Sequence, residues 1–384
     1  MRVAISLLSQ DEAQYTGTWT AVRELLRRFS DPRQATVDLL CTASTTARLR
    51  PDLGAAVRPW TARPLRVGSP RVRRVATLAG VYAPNAWPPR GAGQAAEVVH
   101  YPLTLPVPSC ALPRVVTIHD LQHRDLPGNF SPAQRAWRGL MYDRAARRAA
   151  VVIAHSDYTR GRVIDLLGVP ADRVLTSHHA VDQATFRPGF GPGEAELLAE
   201  LALPDRYILY PASLWPHKNH AALLEALSAM RDTSISLVLT GATFGREVEL
   251  RASAAELGLA GRVRHLGLVA SDLLPVLYRH AVALAFPSSY EGFGMPPLEA
   301  MACGCPVASS LGTSLREVVG DAALGLDAGD PRQMAGVLDR LAGDEQLRGR
   351  LRAAGLDRAG TFSWDTAHAV HIEAYRLARA LGRR

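Results

Sequence analysis

The sequence contains one lysine, Lys218, beside 43 arginines, and it has four cysteines in 384 residues. So few cysteines in a chain of this length exclude a disulfide-stapled scaffold. Long hydrophobic runs are also absent. The longest, Ala149–Ala154 and Ala281–Phe286, have the length of a strand, and a membrane span needs roughly 18 apolar residues. The apolar start, Val3–Leu8, is too short for a signal-peptide core. We therefore expect a cytoplasmic protein without disulfides or membrane spans.

The composition is that of a globular protein long enough for two domains. Hydrophobic residues make up 47% and charged residues 21%, which excludes a disordered or fibrous chain. The net charge of +8 suits nucleic acid, an anionic membrane or a phosphorylated substrate. No basic motif interleaved with aromatic residues supports the first of these. A compact ammonium differs physically from a planar guanidinium, so the lone lysine suggests a role that arginine cannot fill.

Short β-rich runs alternate with helical patterns along the whole chain. In the first half, parallel strands are predicted at Val3–Leu8, Val37–Cys41, Glu97–Tyr101, Arg114–His119 and Ala150–His155. After a Gly- and Pro-rich break, strands are predicted at Tyr207–Pro211, Ile235–Thr240, Val263–Leu266, Ala281–Phe286, Val307–Ser309 and Ala323–Leu326. This alternation predicts an α/β fold of two doubly wound parallel sheets, with a ligand-binding cleft between the two domains.

The break near residue 190 sets the expected domain boundaries. We expect an N-terminal domain over residues 1–187, a linker over 188–204 and a second domain over 205–364. The last helix, 365–384, is expected to pack on the first domain. Residues 43–95 are too rich in Arg, Pro and Gly to assign.

The loop 287–306 follows a predicted strand and therefore lies at a carboxyl edge, where ligands bind in such sheets. Gly292 and Gly294 allow a close approach of the backbone to a ligand. Two prolines then open a helix, whose N-terminus favours phosphate. Glu291 and Glu299, eight residues apart, offer carboxylates that accept hydrogen bonds from sugar hydroxyls. By itself the pattern also fits a solvated loop before a helix.

A second loop, 212–219, follows the strand Tyr207–Pro211 at the same kind of edge. His217 and Lys218 stand just ahead of a predicted helix, and an ammonium beside a helix N-terminus suits a diphosphate. A lysine near a helix cap is ordinarily a surface residue, but two such loops on one sheet favour a shared site. Cys303 and Cys305 lack the spacing of a zinc or redox pair, and we expect them to be small buried residues.

Together these residues resemble the retaining glycosyltransferases of family four, which use nucleotide sugars and have the two-domain B-type fold. The resemblance covers essentially the whole chain, and its most specific element is the Glu-x7-Glu pattern from Glu291 to Glu299. His217-Lys218-Asn219 is similar to the family's diphosphate loop, with His in place of Arg. His265–Val269 resembles its base-contacting loop, Thr117–Asp120 its acceptor-side His-Asp, and Phe362–Trp364 the crossing back to the first domain.

The resemblance implies a role for each matching position. Lys218 would neutralise the leaving diphosphate, Glu291 would bind the donor sugar, and His119 would lie over the reacting sugar; these three are the expected catalytic residues. Glu299 would bind the ribose. The expected donor-binding residues are Gly17, Ser213, His217, Lys218, Gly267, Val269, Phe293, Gly294, Met295 and Glu299. No metal or other cofactor is expected. The Gly-rich loop of the family is reduced to Tyr15–Thr18, with Gly17 alone at the expected phosphate contact.

The expected reaction is transfer of a hexosyl group from a nucleoside-diphosphate sugar to a hydroxyl acceptor. The acceptor could be a carbohydrate, a lipid-linked saccharide or a small natural product. A sugar-nucleotide epimerase on the same fold and a basic nucleic-acid-binding protein are the alternatives. The basic segment 132–148 could dock peripherally on the inner face of a membrane or present a solvated face, and the sequence leaves both open.

Overall fold

The computed structural model describes residues 1–9, 17–61 and 96–383. Tyr15 and Thr16 of the expected phosphate loop, and residues 62–95 of the unassigned stretch, lie outside the described residues. The chain divides into two compact units: an N-terminal unit, Met1–His179 with Trp364–Arg384, and a C-terminal unit, Ala180–Ser363.

The stretch 188–204, expected to be a linker, lies within the C-terminal unit, and Glu194–Glu200 forms a helix there. The reason is the buried side chain of Glu194. It pairs with Arg279 and lies 3.1 Å from Nε2 of His280, which ties this helix to its unit.

The N-terminal unit contains a parallel sheet in the order β3-β2-β1-β4-β5-β6-β7 among the described residues. Its strands are β1 (Arg2–Ser6), β2 (Thr36–Cys41), β3 (Val57–Thr61), β4 (Val98–Tyr101), β5 (Arg114–Ile118), β6 (Val151–Ala154) and β7 (Val174–Thr176). Its helices are α1 (Gly17–Arg27), α2 (Ala43–Leu49), α3 (Gln122–Asp125), α4 (Pro132–Arg138), α5 (Arg144–Arg148), α6 (Asp157–Leu167) and, from the end of the chain, α15 (Trp364–Leu381).

The basic segment 132–148 is not one uninterrupted α-helix, because residues Gly139–Asp143 form a π-helical turn between α4 and α5. The fully buried Asp143 at its end pairs with Arg124 and lies 3.0 Å from Nε2 of His123. Continuing the α-helical spacing would move this carboxylate relative to its partners, and an unpaired buried charge is costly. Ser156 caps α6 by accepting a hydrogen bond from the Thr159 amide at 3.1 Å.

One face of the N-terminal sheet is covered by α1 and α15, whose apolar side chains form a single core with β1 and β2. Tyr375 of α15 is fully buried there, and its hydroxyl is 2.9 Å from Nδ1 of His100 on β4. The end of the chain is thus an integral part of the N-terminal unit.

The C-terminal unit contains a second parallel sheet in the order β10-β9-β8-β11-β12-β13. Its strands are β8 (Tyr207–Pro211), β9 (Ser236–Thr240), β10 (Val263–His265), β11 (Ala283–Phe286), β12 (Val307–Ser310) and β13 (Leu324–Leu326). Its helices are α7 (Glu194–Glu200), α8 (His220–Ala229), α9 (Glu247–Glu256), α10 (Leu273–His280), α11 (Met295–Ala302), α12 (Leu315–Val319), α13 (Pro331–Gly343) and α14 (Glu345–Gly360).

The direction of winding reverses between β8 and β11, which pair at the centre of the sheet. In open parallel sheets the crevice at such a reversal receives the ligand, at the carboxyl ends of the strands. The loops 212–219 and 287–294 follow these two strands. All four cysteines are buried and free, as expected. In the described part of the chain, none of the helices is long and apolar enough to cross a bilayer.

Candidate active site

The centre of the site in the C-terminal unit is an ion pair between Lys218 and Glu291. Nζ of Lys218 contacts Oε1 of Glu291, and the two side chains are only 17% and 14% exposed. The ammonium also lies 5.5 Å from the ring centroid of Phe286, at the end of β11. A cation shielded in this way loses less of its field to water than a surface lysine does. The pair joins the loops after β8 and β11 at the reversal of the sheet.

The β8 loop holds Lys218 through main-chain contacts. Residues Pro216–Lys218 form a 3-10 turn, closed by the Lys218 amide, which donates to the Trp215 carbonyl at 2.9 Å. The hydroxyl of Tyr210 donates to the Lys218 carbonyl at 2.6 Å. The carbonyl of His217 accepts from the Ser289 amide at 2.8 Å, which ties this loop to the one after β11. The ammonium therefore stands on a fixed backbone.

The loop after β11 is fixed by hydroxyl groups from the segment after β12. Ser314 Oγ donates to the carbonyls of Glu291 and Phe293 at 2.9 and 2.8 Å, and Thr313 Oγ1 accepts from the Glu291 amide at 3.1 Å. Gly294 then begins the helix with φ of 118°. This φ favours glycine, and a Cβ there would also lie 2.6 Å from Cδ2 of Leu315, which would have to move.

The helix Met295–Ala302 starts with Pro296 and Pro297 after its first residue. Prolines have no N–H, so any main-chain donors to an anion at this helix start come from the glycine loop and Met295. The expected donor-contacting amides of Phe293, Gly294 and Met295 begin two residues after Glu291 in the chain.

Glu299 lies further along the same helix and has a different partner. Its Oε2 accepts a hydrogen bond from the Tyr278 hydroxyl at 2.9 Å. Burial raises its pKa to about 7, and the bond from Tyr278 opposes that rise. Near neutral pH the carboxyl is therefore poised between its two protonation states, and a partner that donates hydrogen bonds favours the carboxylate.

A separate cluster of histidines lies at the carboxyl edge of the sheet in the N-terminal unit. Five of them line a cavity of about 20 Å³, enough for one water molecule: His119, His155, His179, His368 and His371. His119 follows β5, and its Nε2 lies 2.8 Å from the Pro102 carbonyl. Because a carbonyl only accepts, this nitrogen carries the ring proton. Burial lowers the pKa of His119, so the ring is neutral and Nδ1 is an acceptor.

The other histidines of the cavity are also held neutral. The rings of His155 and His179 lie 3.8 Å apart between centroids, and burial is the main cause that lowers both pKa values, that of His179 to about 3. His155 Nδ1 donates to the Ser177 carbonyl at 3.0 Å, and its buried Nε2 has no partner among the described residues. The cavity thus presents uncharged polar groups.

Comparison with known proteins identifies the family of this chain. The family model described as Glycosyltransferase Family 4 matches residues 15–185, and the one described as Glycosyl transferases group 1 matches residues 198–358. The O-antigen chain mannosyltransferase B of Escherichia coli is 34% identical over 270 residues, which are 68% of this chain and 70% of that protein. The chain belongs to glycosyltransferase family 4.

A second relative, the D-inositol 3-phosphate glycosyltransferase of Frankia alni, is 34% identical over 59% of this chain and 58% of its own length. Among solved structures, Anabaena Alr3699/HepE in complex with UDP and glucose has a TM-score of 0.72 at 21% identity and covers 97% of this chain and 98% of its own. Sucrose-phosphate synthase from Thermosynechococcus elongatus has a TM-score of 0.73 at 20% identity, with 98% of each chain covered. These structures confirm the predicted fold of two parallel α/β sheets.

In this glycosyltransferase, most of the residues predicted for the donor site lie in the segments that follow β8, β10 and β11 of the C-terminal sheet. They are Ser213, His217, Lys218, Gly267, Val269, Glu291, Phe293, Gly294, Met295 and Glu299. Ser213 Oγ accepts from the Ala242 amide at 3.3 Å, and the Gly267 carbonyl accepts from the Gly241 amide at 2.7 Å. Ser213 and Gly267 thereby link the loops after β8 and β10 to the loop after β9. Gly17 and His119 lie in the N-terminal unit, at the start of α1 and after β5.

The sequence prediction missed several residues that shape the glycosyltransferase site. Tyr278 lies in the apolar helix Leu273–His280, where nothing local distinguishes it from a core residue. Thr313 and Ser314 could have been noticed, because they belong to a polar loop after the strand next to β11. His155, which lines the histidine cavity of the N-terminal unit, follows β6 with no motif around it.

Proposed function

We propose that this family 4 enzyme is a metal-independent, retaining hexosyltransferase that moves a sugar from a nucleoside-diphosphate sugar to a hydroxyl acceptor. The single observation that carries the proposal is the shielded Lys218–Glu291 pair at the reversal point of the C-terminal sheet. A cation and a carboxylate at this point suit the diphosphate and the sugar hydroxyls of such a donor. Glu299 supplies a second carboxylate, for the ribose.

The reaction needs charge stabilisation where the bond breaks. When the bond from C1 of the sugar to the diphosphate oxygen cleaves, its electron pair stays on the diphosphate, and Lys218 donates to that growing charge. Binding of the donor therefore shifts the ammonium from Glu291 toward phosphate. The acceptor oxygen forms its bond to C1 on the same face, and its proton passes to the departing phosphate oxygen. Because Lys218 and the amides of the glycine loop compensate the charge, the proposal requires no metal.

His119 is proposed to face the reacting sugar from the N-terminal unit. A neutral imidazole suits this position, because an imidazolium would repel the oxocarbenium-like sugar. Its Nε2 proton is committed to the Pro102 carbonyl, so Nδ1 is left to accept a hydrogen bond from a sugar hydroxyl. The residue is thus a positioning and polar contact rather than a source of protons.

The acceptor is proposed to be a carbohydrate hydroxyl, either in a surface polysaccharide or glycolipid or on a small natural product. Names of relatives support the carbohydrate class: one is an O-antigen chain mannosyltransferase and another a D-inositol 3-phosphate glycosyltransferase. Peripheral membrane contact is proposed through the segment 132–148, which exposes Arg135, Arg147 and Arg148 and the apolar Leu140. Charge reversal of the three arginines should abolish sedimentation with anionic vesicles if this segment makes the contact.

The test of the proposed function is a panel of nucleotide sugars. A preferred donor should raise the melting temperature through binding to the native state. With that donor and candidate acceptors, the product should keep the anomeric configuration of the donor, as read by NMR. Conversion of the free nucleotide sugar to an epimer without acceptor, or inversion in the product, would contradict the proposal.

A further inference from the structure

Another cavity of the N-terminal unit lies at the amino edge of its sheet, opposite the edge that carries the histidines. Its volume is about 590 Å³, and its wall includes Arg114 at the start of β5, Ala150 just before β6 and Arg173 just before β7. Leu381 and Gly382, at the end of α15, also line it. Sites for small molecules usually measure about 300 to 1,000 Å³, so this cavity has the size of a ligand site.

The charge of this arginine cavity comes from Arg114, Arg148 and Arg173. No acidic residue is among the described residues that line it. In the described part of the chain, none of the three arginines forms an ion pair with a carboxylate. Glu97, just before β4 at the same edge, is already paired with Arg379 at 3.1 Å. Cations that converge on one concave surface without a counter-charge create a strongly positive potential there.

The guanidinium groups of Arg114 and Arg173 are held in place by neutral carbonyl groups. Nη2 of Arg114 donates to the Cys110 carbonyl at 2.9 Å. Nε of Arg173 donates to the Ala150 carbonyl at 2.9 Å, and its Nη2 donates to the Ala149 carbonyl. Carbonyls order these side chains without cancelling their charge, and each guanidinium has five N–H groups, so donors remain for a ligand. Binding then requires little further ordering of either side chain, which lowers its entropy cost.

Arg148, the last residue of α5, is the adjustable member of the three. Its side chain is exposed and has no hydrogen bond or ion pair with the described residues. The remaining wall is partly apolar and contains Leu112, Pro113 and Leu381. A planar guanidinium donates two parallel hydrogen bonds to phosphate oxygens. The cavity therefore suits a compound that joins a phosphate group to a less polar body.

We propose that the arginine cavity binds a phosphate monoester. Such a group carries a charge of about −1.5 to −2 at neutral pH and offers three acceptor oxygens, which matches three converging cations. A soluble phosphorylated metabolite and the headgroup of phosphatidic acid both present this group. The ligand would not contact His119, because the five residues of β5 separate the two edges of the sheet by roughly 16 Å. The proposal therefore does not depend on the donor assignment.

The first test titrates the full-length protein with phenyl phosphate, a soluble phosphate monoester, and follows binding by NMR. Lys218→Ala is the background, so that the proposed diphosphate site contributes little. Arg148→Gln and Arg173→Gln should each weaken binding about tenfold to a hundredfold, as expected for loss of a charge-assisted hydrogen bond. The matched control is Arg58→Gln, because Arg58 is an exposed arginine of the same unit on β3, the far edge strand of the described sheet. It should bind phenyl phosphate as the background protein does.

A second arm identifies the source of the phosphate group. Sedimentation with phosphatidylcholine vesicles that contain phosphatidic acid measures binding of a lipid headgroup, and vesicles without phosphatidic acid are the blank. Loss of this sedimentation in Arg173→Gln assigns the cavity to the lipid. Unchanged sedimentation together with weaker phenyl phosphate binding assigns it to a soluble ligand. Arg173 decides this arm because it lies outside the segment 132–148, which is proposed to contact the membrane.

The proposal is overturned if the unsubstituted protein binds neither probe, or if both glutamine variants of the cavity bind both probes normally. An equal loss in Arg58→Gln and Arg148→Gln would also overturn it, because it would indicate attraction by the overall charge. So would weaker binding in Arg173→Gln with normal binding in Arg148→Gln. Arg148→Gln removes no contact with the described residues, whereas Arg173→Gln also frees two carbonyls, so that result would indicate a displaced loop.

Discussion

The carboxyl of Glu299 makes the stability of this enzyme depend on pH in a way that one substitution should remove. Its pKa rises from 4.5 to about 7 through burial. The native state therefore holds the proton more tightly than the unfolded chain, and the free energy of unfolding falls as the pH rises between these values. Glu299→Gln removes the charge and keeps an amide that the Tyr278 hydroxyl can still reach.

The magnitude follows from the size of the shift. Each pKa unit corresponds to about 1.4 kcal/mol, so the ionised carboxylate destabilises the native state by at most about 3 kcal/mol. This penalty is absent below about pH 4.5 and complete above about pH 7. The unfolding free energy of Glu299→Gln, minus that of the wild type, should therefore grow by up to about 3 kcal/mol across this window.

Urea unfolding of both proteins at several pH values measures this difference, and contributions from other titrating groups cancel in it. Tyr278→Phe provides a second check. In Tyr278→Phe the hydrogen bond that opposes the rise is lost, so the pKa of Glu299 should rise further. The pH range in which the unfolding free energy of Tyr278→Phe falls relative to that of Tyr278→Phe/Glu299→Gln should therefore move to higher pH. If the difference in unfolding free energy between Glu299→Gln and the wild type stays constant with pH, Glu299 is not a buried carboxyl with a raised pKa. If this pH range moves to lower pH in Tyr278→Phe, the hydrogen bond from Tyr278 does not lower the pKa of Glu299.

Four further predictions concern catalysis, metal dependence and acid stability. Lys218→Ala should lower turnover with saturating donor by roughly 10² to 10³, with partial rescue in Lys218→Arg; near-normal turnover would reduce Lys218 to a structural partner of Glu291. Glu291→Ala should reduce turnover more than it weakens binding of the free nucleoside diphosphate, as steady-state kinetics and calorimetry can compare. Activity should persist in excess chelator, and an absolute need for added divalent metal would contradict the proposed diphosphate site. Because the pKa of His179 is lowered to about 3, stability should fall as the pH drops below about 6.5, and His179→Gln should weaken that fall in acid unfolding curves.

Most of the strands that the sequence predicted are buried, with continuous apolar runs; the partly exposed edge strands of the C-terminal sheet, Val263–His265 and Leu324–Leu326, were also predicted. The strands it missed are the two edges of the N-terminal sheet, Val57–Thr61 and Val174–Thr176. The first contains Arg58 and Pro59, and it is a strand because it pairs with Thr36–Cys41. Such edge strands depend on a neighbour that is remote in sequence, so local propensity does not reveal them.

The helix Glu345–Gly360 was missed for a related reason. It is rich in arginine and contains internal glycines, which disfavour a helix. Gly355 packs closely on the helix Met295–Ala302, where a Cβ would lie 3.2 Å from Cγ of Met301. Within the site, the loops 212–219 and 287–294 were predictable, because glycine, proline and charged residues follow the predicted strands there. The Tyr278–Glu299 bond and the histidine-lined cavity arise from contacts between distant segments and have no local pattern.

The lone lysine also makes the centre of this enzyme chemically addressable. Apart from the amino terminus, Lys218 Nζ is the only primary amine in the sequence. Its side chain is 17% exposed and paired with Glu291, so acylating reagents should modify it slowly in the native protein and rapidly once the chain unfolds. Mass spectrometry of a single peptide then reports occupancy of the site, because a bound diphosphate would shield the amine. The arginine-rich surface contributes no competing amines to that measurement.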